Sequence, residues 1–180
     1  MSKMNELLQE KNCSIRQSVS NWQEAIHVAC QPLIEQGYCN EEYVDAVFEN
    51  TEQYGPYYVL CEHLALIHAS NKKGVFGTQM AVTLLKEPIK FKPDGYDVRV
   101  LVTLVAKDSD SHMEGIQAVS AIFSDPEQVQ SILNAADGKE IYEKFNKWSE
   151  EWRELCFKDF NKDEINIFMG LLDKMIKNLE

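Results

Sequence analysis

Four histidines, His27, His63, His68 and His112, are the side chains in this sequence best suited to nucleophilic or acid–base chemistry near neutral pH. His68 is distinguished by its setting. It closes an apolar run, Leu64-Ala65-Leu66-Ile67, and is followed by Ala69, Ser70 and Asn71, then by Lys72 and Lys73. A histidine at the mouth of a buried strand, beside open backbone, is placed to react. His112 takes the first helical position of a capping-box pattern running from Ser111 to Glu114. A helix start presents free amides and the positive end of the macrodipole, so it is a natural phosphate site. If His68 and the start of the His112 helix converge, a nucleophilic imidazole lies beside an anion-binding helix end. That arrangement suits transfer of a phosphoryl group to and from histidine. Neutral imidazole, whose usual pKa is near ~6.5, has a lone pair with which to attack phosphorus. The loose transition state of phosphoryl transfer leaves the protein mainly positioning and charge stabilisation to supply. Against this, a histidine after a strand is commonly structural, and spacing alone does not bring the two together.

The other candidates have plainer readings. His27 lies off the apolar face of its helix and reads as a solvated surface residue. His63 and His68 are five apart on a strand-like piece, so their side chains point to opposite faces, which argues against a shared zinc ion. Cys61 sits in an apolar run and is expected to pack. Lys72 and Lys73 read as a solvated loop. There is no P-loop and no glycine-rich dinucleotide motif, so neither a cofactor nor a metal is expected.

The elements that must position His68 are legible in order. Residues 13–19 alternate loosely, as in an edge strand. Ser20 and Gln23 form a capping box for a helix whose apolar face carries Trp22, Ala25, Ile26, Ala29, Cys30, Leu33 and Ile34, ended by Gly37. Asn40 caps a second helix with Tyr43, Val44, Val47 and Phe48 inward, which stops near Tyr54 before Gly55-Pro56. Short strands follow at 57–61 and 64–67, then a longer one at 75–85. Residues 86–97 connect, with a turn at Pro93-Asp94-Gly95. Residues 98–106 are apolar except Arg99 and Thr103, as in a strand covered on both faces. Helices return from Ser111, from Asp125-Pro126 with proline at the first position, and from Asp137 to near Trp148. Helices on both sides of a run of strands predict an α/β fold, a three-layer α/β/α sandwich with a central mixed sheet. Residues 1–148 form this domain. Residues 149–180 are a C-terminal helical extension, where Asn161 to Glu164 is another capping box. Behind it Ile165, Phe168, Met169, Leu172, Met175, Ile176 and Leu179 make an apolar stripe that either packs back or seals a homodimer.

The 180 residues carry a formal charge of −11, which leaves no electrostatic footprint for nucleic acid or anionic lipid. Acidity suits docking to a basic protein surface as well as plain solubility. Five scattered cysteines without a C-x-x-C pair indicate reduced thiols, and the start has no signal-peptide core, so a cytoplasmic location is expected.

Residues 13 to about 147 resemble the enzyme IIA component of the bacterial phosphoenolpyruvate-dependent sugar phosphotransferase system. The likeness is to the mannitol/fructose class, and within it to the ascorbate-like branch. It rests on Ser14-Ile15-Arg16, on the run from Asn21 to Ala25, on the run from Glu52 to Val59, on Leu64-Ala65-Leu66 with His68-Ala69, and on 98–106 leading to Asp110-Ser111-His112. The resemblance implies a phosphocarrier in sugar uptake. His68 would accept a phosphoryl group from the phosphocarrier protein HPr and pass it to a cysteine of a IIB component, with the membrane IIC served only indirectly. His112 would be the second active-site histidine, helping to hold the phosphoryl group. The family usually has proline before the active histidine, where this chain has Ile67, and a Pro-Gly pair where it has Glu62 and His63. Glu52 stands where mannitol and fructose members carry arginine, as it does in the ascorbate-like branch. The alternative is a IIA-like regulatory or interaction module with reduced or no phosphotransfer.

Overall fold

A computed structural model describes residues 7–108, 115–116, 119–120 and 122–177. Five strands, β1 (Leu8–Arg16), β2 (Val59–Cys61), β3 (His63–Ile67), β4 (Gln79–Ile89) and β5 (Val98–Val105), form one sheet in the order β1-β4-β5-β3-β2. Pairings β1·β4 and β3·β5 are parallel, while β4·β5 and β2·β3 are antiparallel. The sheet is therefore mixed, and β5 lies at its centre. The described helices are α1 (Trp22–Glu35), α2 (Glu41–Tyr54), α3 (Pro126–Leu133), α4 (Gly138–Cys156) and α5 (Lys162–Lys177).

Alternation along the strands divides the core in two. Ala65, Ile67, Ala81, Leu101 and Val105 face α1 and α2, where they meet Ile26, Ala29, Leu33, Tyr43 and Val47. Leu64, Leu66, Val82, Val100, Val102 and Leu104 face the other way, onto Ile132, Leu133, Ile141 and Phe145. Three layers result, as the pattern predicts. The two polar residues of β5 are also accounted for. Thr103 is buried, and its hydroxyl donates to the Ala29 carbonyl at 3.0 Å. Arg99 is half-buried. Its Nε donates to the Leu85 carbonyl at 3.0 Å and a terminal nitrogen to the Leu133 carbonyl at 3.4 Å, so the cation sits at the carbonyl end of α3.

Several boundaries differ from expectation, each for a local reason. The cap of α1 is Asn21 rather than Ser20. Asn21 Oδ1 accepts from the Glu24 amide at 2.9 Å, and the Glu24 carboxylate takes the Ser20 amide. Two overlapping box patterns compete, and the one with a carboxylate in the first turn better complements the macrodipole. Strand β1 begins at Leu8, earlier than expected: Glu10 and Lys11 are exposed at the sheet edge, and the buried Asn12 is satisfied by donating to the Met80 carbonyl at 3.1 Å. Strand β4 starts at Gln79, later than expected, and runs on to Ile89 through a register irregularity that accommodates Pro88. Helix α4 passes Trp148 and ends at Cys156, since no Gly or Pro interrupts it. The caps at Asn40, Asp125 and Asn161 stand where the sequence puts them.

Candidate functional site

His68 directly follows the last residue of β3, and its position is fixed by the parallel pairing of β3 with β5. Ile67 pairs with Thr103, so the two strands deliver their C-terminal ends side by side. The imidazole is partly buried. Its Nδ1 lies 2.7 Å from the Leu66 carbonyl oxygen. A carbonyl can only accept, so Nδ1 carries a proton, and in the neutral ring the lone pair is then on Nε2. The backbone beyond His68 is held as well. The Tyr57 hydroxyl donates to the His68 carbonyl, and the Tyr57 ring meets the imidazole edge-on with centroids 5.2 Å apart. The next amide, Ala69 N–H, donates at 3.1 Å to the hydroxyl of Tyr43, which itself donates at 2.7 Å to the Leu104 carbonyl. Burial pushes both phenols up from their usual pKa, Tyr43 most, so both remain protonated donors.

These tyrosines escape a reading that looks for titratable groups. A signal was available: Tyr43 lies on the inward face of α2, and a buried phenol needs a hydrogen-bond partner. The loop after His68 is fastened at further points. Asn71 donates to the Lys107 carbonyl at 2.7 Å, which ties it to the chain leaving β5. Lys73 is paired with Glu49 at 2.8 Å on the surface, and Lys72 is exposed, so both belong to a solvated loop.

His112 lies outside the described residues. Gly115, three residues on, packs so closely on Leu104 that a Cβ there would stand 2.5 Å from Leu104 Cδ1. His27 is exposed, 3.6 Å from the Glu41 carboxylate, as a surface residue should be. Cys61 is exposed at the end of β2 rather than packed, because β2 is an edge strand with one side open. Its thiol is pushed up by partial burial and by Glu62, which weakens it as a nucleophile. Cys13 and Cys39 are pushed up to about 12 by burial and are inert.

The departures at Glu62 and His63 fall at the opposite end of β3 from His68. Five residues of extended chain separate His63 from His68, roughly 16 Å. That exceeds the Debye length of about 8 Å at physiological salt, so the exposed Glu62 charge is screened from the imidazole. His63 adopts φ 70°, in the left-handed region that glycine occupies freely. Its Nδ1 is also buried without a hydrogen-bond partner among the described residues. His63→Gly is therefore expected to stabilise the fold by about 1 kcal/mol, with relief of strain outweighing the added freedom of the unfolded chain. Urea unfolding measures it, and a loss of stability would refute the strain.

Ile67 stands where a proline would otherwise fix the chain, and its side chain is fully buried in the cluster under α1 and α2. Among the described residues no helix is long and apolar enough to cross a membrane.

Residues 6–148 match the family described as phosphoenolpyruvate-dependent sugar phosphotransferase system, EIIA 2. The mannitol-specific cryptic phosphotransferase enzyme IIA component of Escherichia coli K12 is 32% identical over 139 residues, covering 77% of this chain and 95% of that protein. The ascorbate-specific PTS system EIIA component of Mycoplasma pneumoniae is 29% identical over 137 residues, covering 76% and 86%. The solution structure of the mannitol-specific cryptic enzyme IIA from Escherichia coli superposes with a TM-score of 0.74 at 30% identity, over 82% of this chain and 99% of that one.

Proposed function

This chain belongs to the EIIA 2 family of the phosphoenolpyruvate-dependent sugar phosphotransferase system, and from that premise we propose that it is a cytoplasmic phosphocarrier whose acceptor atom is Nε2 of His68. The observation that carries the reading is the hydrogen bond from Nδ1 to the Leu66 carbonyl. It commits a proton to Nδ1, which in the neutral ring leaves the lone pair on Nε2. In the forward step that lone pair forms a new N–P bond. The bond from phosphorus to HPr breaks, and its electron pair leaves on the donor. In the onward step a IIB cysteine thiolate attacks phosphorus, and the Nε2–P electron pair returns to the ring. No proton has to leave Nδ1 in either direction.

His112 supports the phosphoryl group in this reading. The close packing of Gly115 on Leu104 favours it, since Leu104 follows the residue paired with Ile67. The carrier unit is residues 1–148, and 149–180 are an addition to it.

Incubation with phosphoenolpyruvate, enzyme I and HPr tests the proposal. Acid-labile phosphate on His68, discharged by a IIB protein, is expected. No incorporation would sink the carrier role, and incorporation without discharge to any IIB would leave a regulatory module instead. A chain ending at Trp148 should be phosphorylated at an unchanged rate; failure of that chain to fold would place the extension within the domain.

A further inference from the structure

The peptide unit that follows His68 is held at both of its poles by tyrosine hydroxyls. Its carbonyl, that of His68, accepts from Tyr57, and its N–H, that of Ala69, donates to Tyr43. The two phenols come from different places, Tyr43 from α2 and Tyr57 from the corner between α2 and β2. Each is oriented by a further group. Tyr43 spends its proton on the Leu104 carbonyl, so its oxygen is left to accept from Ala69. Asn50 of α2 donates to the Tyr57 oxygen at 3.5 Å, which favours aiming the Tyr57 proton at His68. The Tyr57 ring adds an edge-on contact with the imidazole. A peptide plane gripped at carbonyl and amide cannot rotate about its neighbouring bonds without breaking one bond or the other. The ring of His68 inherits that restraint, because its Nδ1 bond to Leu66 requires a particular backbone orientation as well as a side-chain rotamer.

We propose that Tyr43 and Tyr57 form a clamp on the 68–69 peptide and act as positioning residues for His68, holding its Nε2 toward an incoming phosphoryl group. The clamp supplies the backbone restraint that Ile67, lacking a ring closed on its own nitrogen, does not. The role in transfer rests on His68 being the phosphoryl acceptor. The orientation of the imidazole does not rest on it and can be read in the unphosphorylated protein.

Tyr57→Phe is the sharper test, since Tyr57 is only half-buried and the ring contact survives. Ring ¹⁵N chemical shifts of His68 in the unmodified protein should show the Nδ1–H tautomer, and in Tyr57→Phe a mixture of the two tautomers. Phosphorylation of Tyr57→Phe by phospho-HPr should slow by about tenfold at unchanged secondary structure, a misplacement effect on the attacking atom. Tyr43→Phe should move the same ring signals, with the transfer rate falling at least as far. Unaltered ring shifts in folded Tyr57→Phe would overturn the clamp, as would a slowed rate with the ring signature intact, which would mark a structural role only. If the unmodified chain takes no phosphate, the carrier reading fails, and the ring shifts still decide whether the clamp orients His68.

Discussion

If His68 is the acceptor, His68→Gln is expected to take up phosphoryl groups from phospho-HPr more than about a thousandfold more slowly, as losses of an attacking group do. Glutamine is chosen because it separates chemistry from placement. Its side-chain amide reaches about as far as Nε2, the attacking atom in this reading, while the Nδ1 bond to the Leu66 carbonyl is given up. Its length approaches that of the imidazole, so the shape at the end of β3 changes little. What it lacks is a basic lone pair, because the amide nitrogen is delocalised into its carbonyl. The fold should be almost indifferent. His68 is partly exposed and belongs to neither core cluster, and the bonds to Tyr57 and Tyr43 are made by its backbone and by the next amide. Thermal unfolding within a few degrees of the parent, together with loss of acid-labile phosphate, is the expected pair of results. Uptake at the parental rate would put the acceptor on another residue.

The largest effect on stability is expected from Gly138→Ala. Gly138 opens α4, where the helix comes down on the backbone of β1. A Cβ at this position would stand 2.1 Å from the Cys13 carbonyl oxygen, 2.7 Å from its carbon and 3.3 Å from the Ser14 nitrogen. Backbone cannot swing aside as a flexible side chain can. Either α4 lifts off β1, or β1 yields its parallel pairing with β4. Lifting the helix also disturbs Ile141 and Phe145, both fully buried in the cluster that holds Leu8 and Cys13. Moving its first turn disturbs the Asp137 cap as well, which accepts from the Glu140 amide at 2.8 Å. Overpacking of this kind is expected to cost about 3 kcal/mol, measured by urea unfolding. A loss below about 1 kcal/mol would mean that the contact between α4 and β1 relaxes freely.

The sequence made much of this legible because local and tertiary signals agree along most of the chain. The caps at Asn40, Asp125 and Asn161 each combine a short polar side chain with an apolar-periodic run behind it, and each is where the pattern puts it. Strand β5 declared its central place through a run that is apolar except at Arg99 and Thr103. These two could not be explained from sequence, because their partners, the carbonyls of Leu85 and Leu133 for Arg99 and of Ala29 for Thr103, are distant along the chain. The start of β1 was hidden, since an edge strand has little need of the alternation that would reveal it. At the site, His68 was visible from the strand that ends on it. Its tautomer was not, because the deciding acceptor is a backbone carbonyl. Tyr43 reads as a core residue and Tyr57 as the first residue of a short strand, and only their approach to one peptide unit from two directions reveals more. Glu62 and His63 are near His68 in sequence, yet an extended strand converts five residues into the full length of β3.

Helix α4 extends through the end of the family match at Trp148 without a joint. From Lys139 to Cys156 it contains neither glycine nor proline, the usual causes of a bend. Its 19 residues form a rod roughly 28 Å long. The inner half is bolted to the sheet by Ile141 and Phe145, and the outer half shares the same axis. A flexible linker would let the last residues sweep a volume around the domain. A continuous rod instead sets one heading. The residues beyond Cys156 therefore leave the domain from the end of a rod with a set heading and not from a tether.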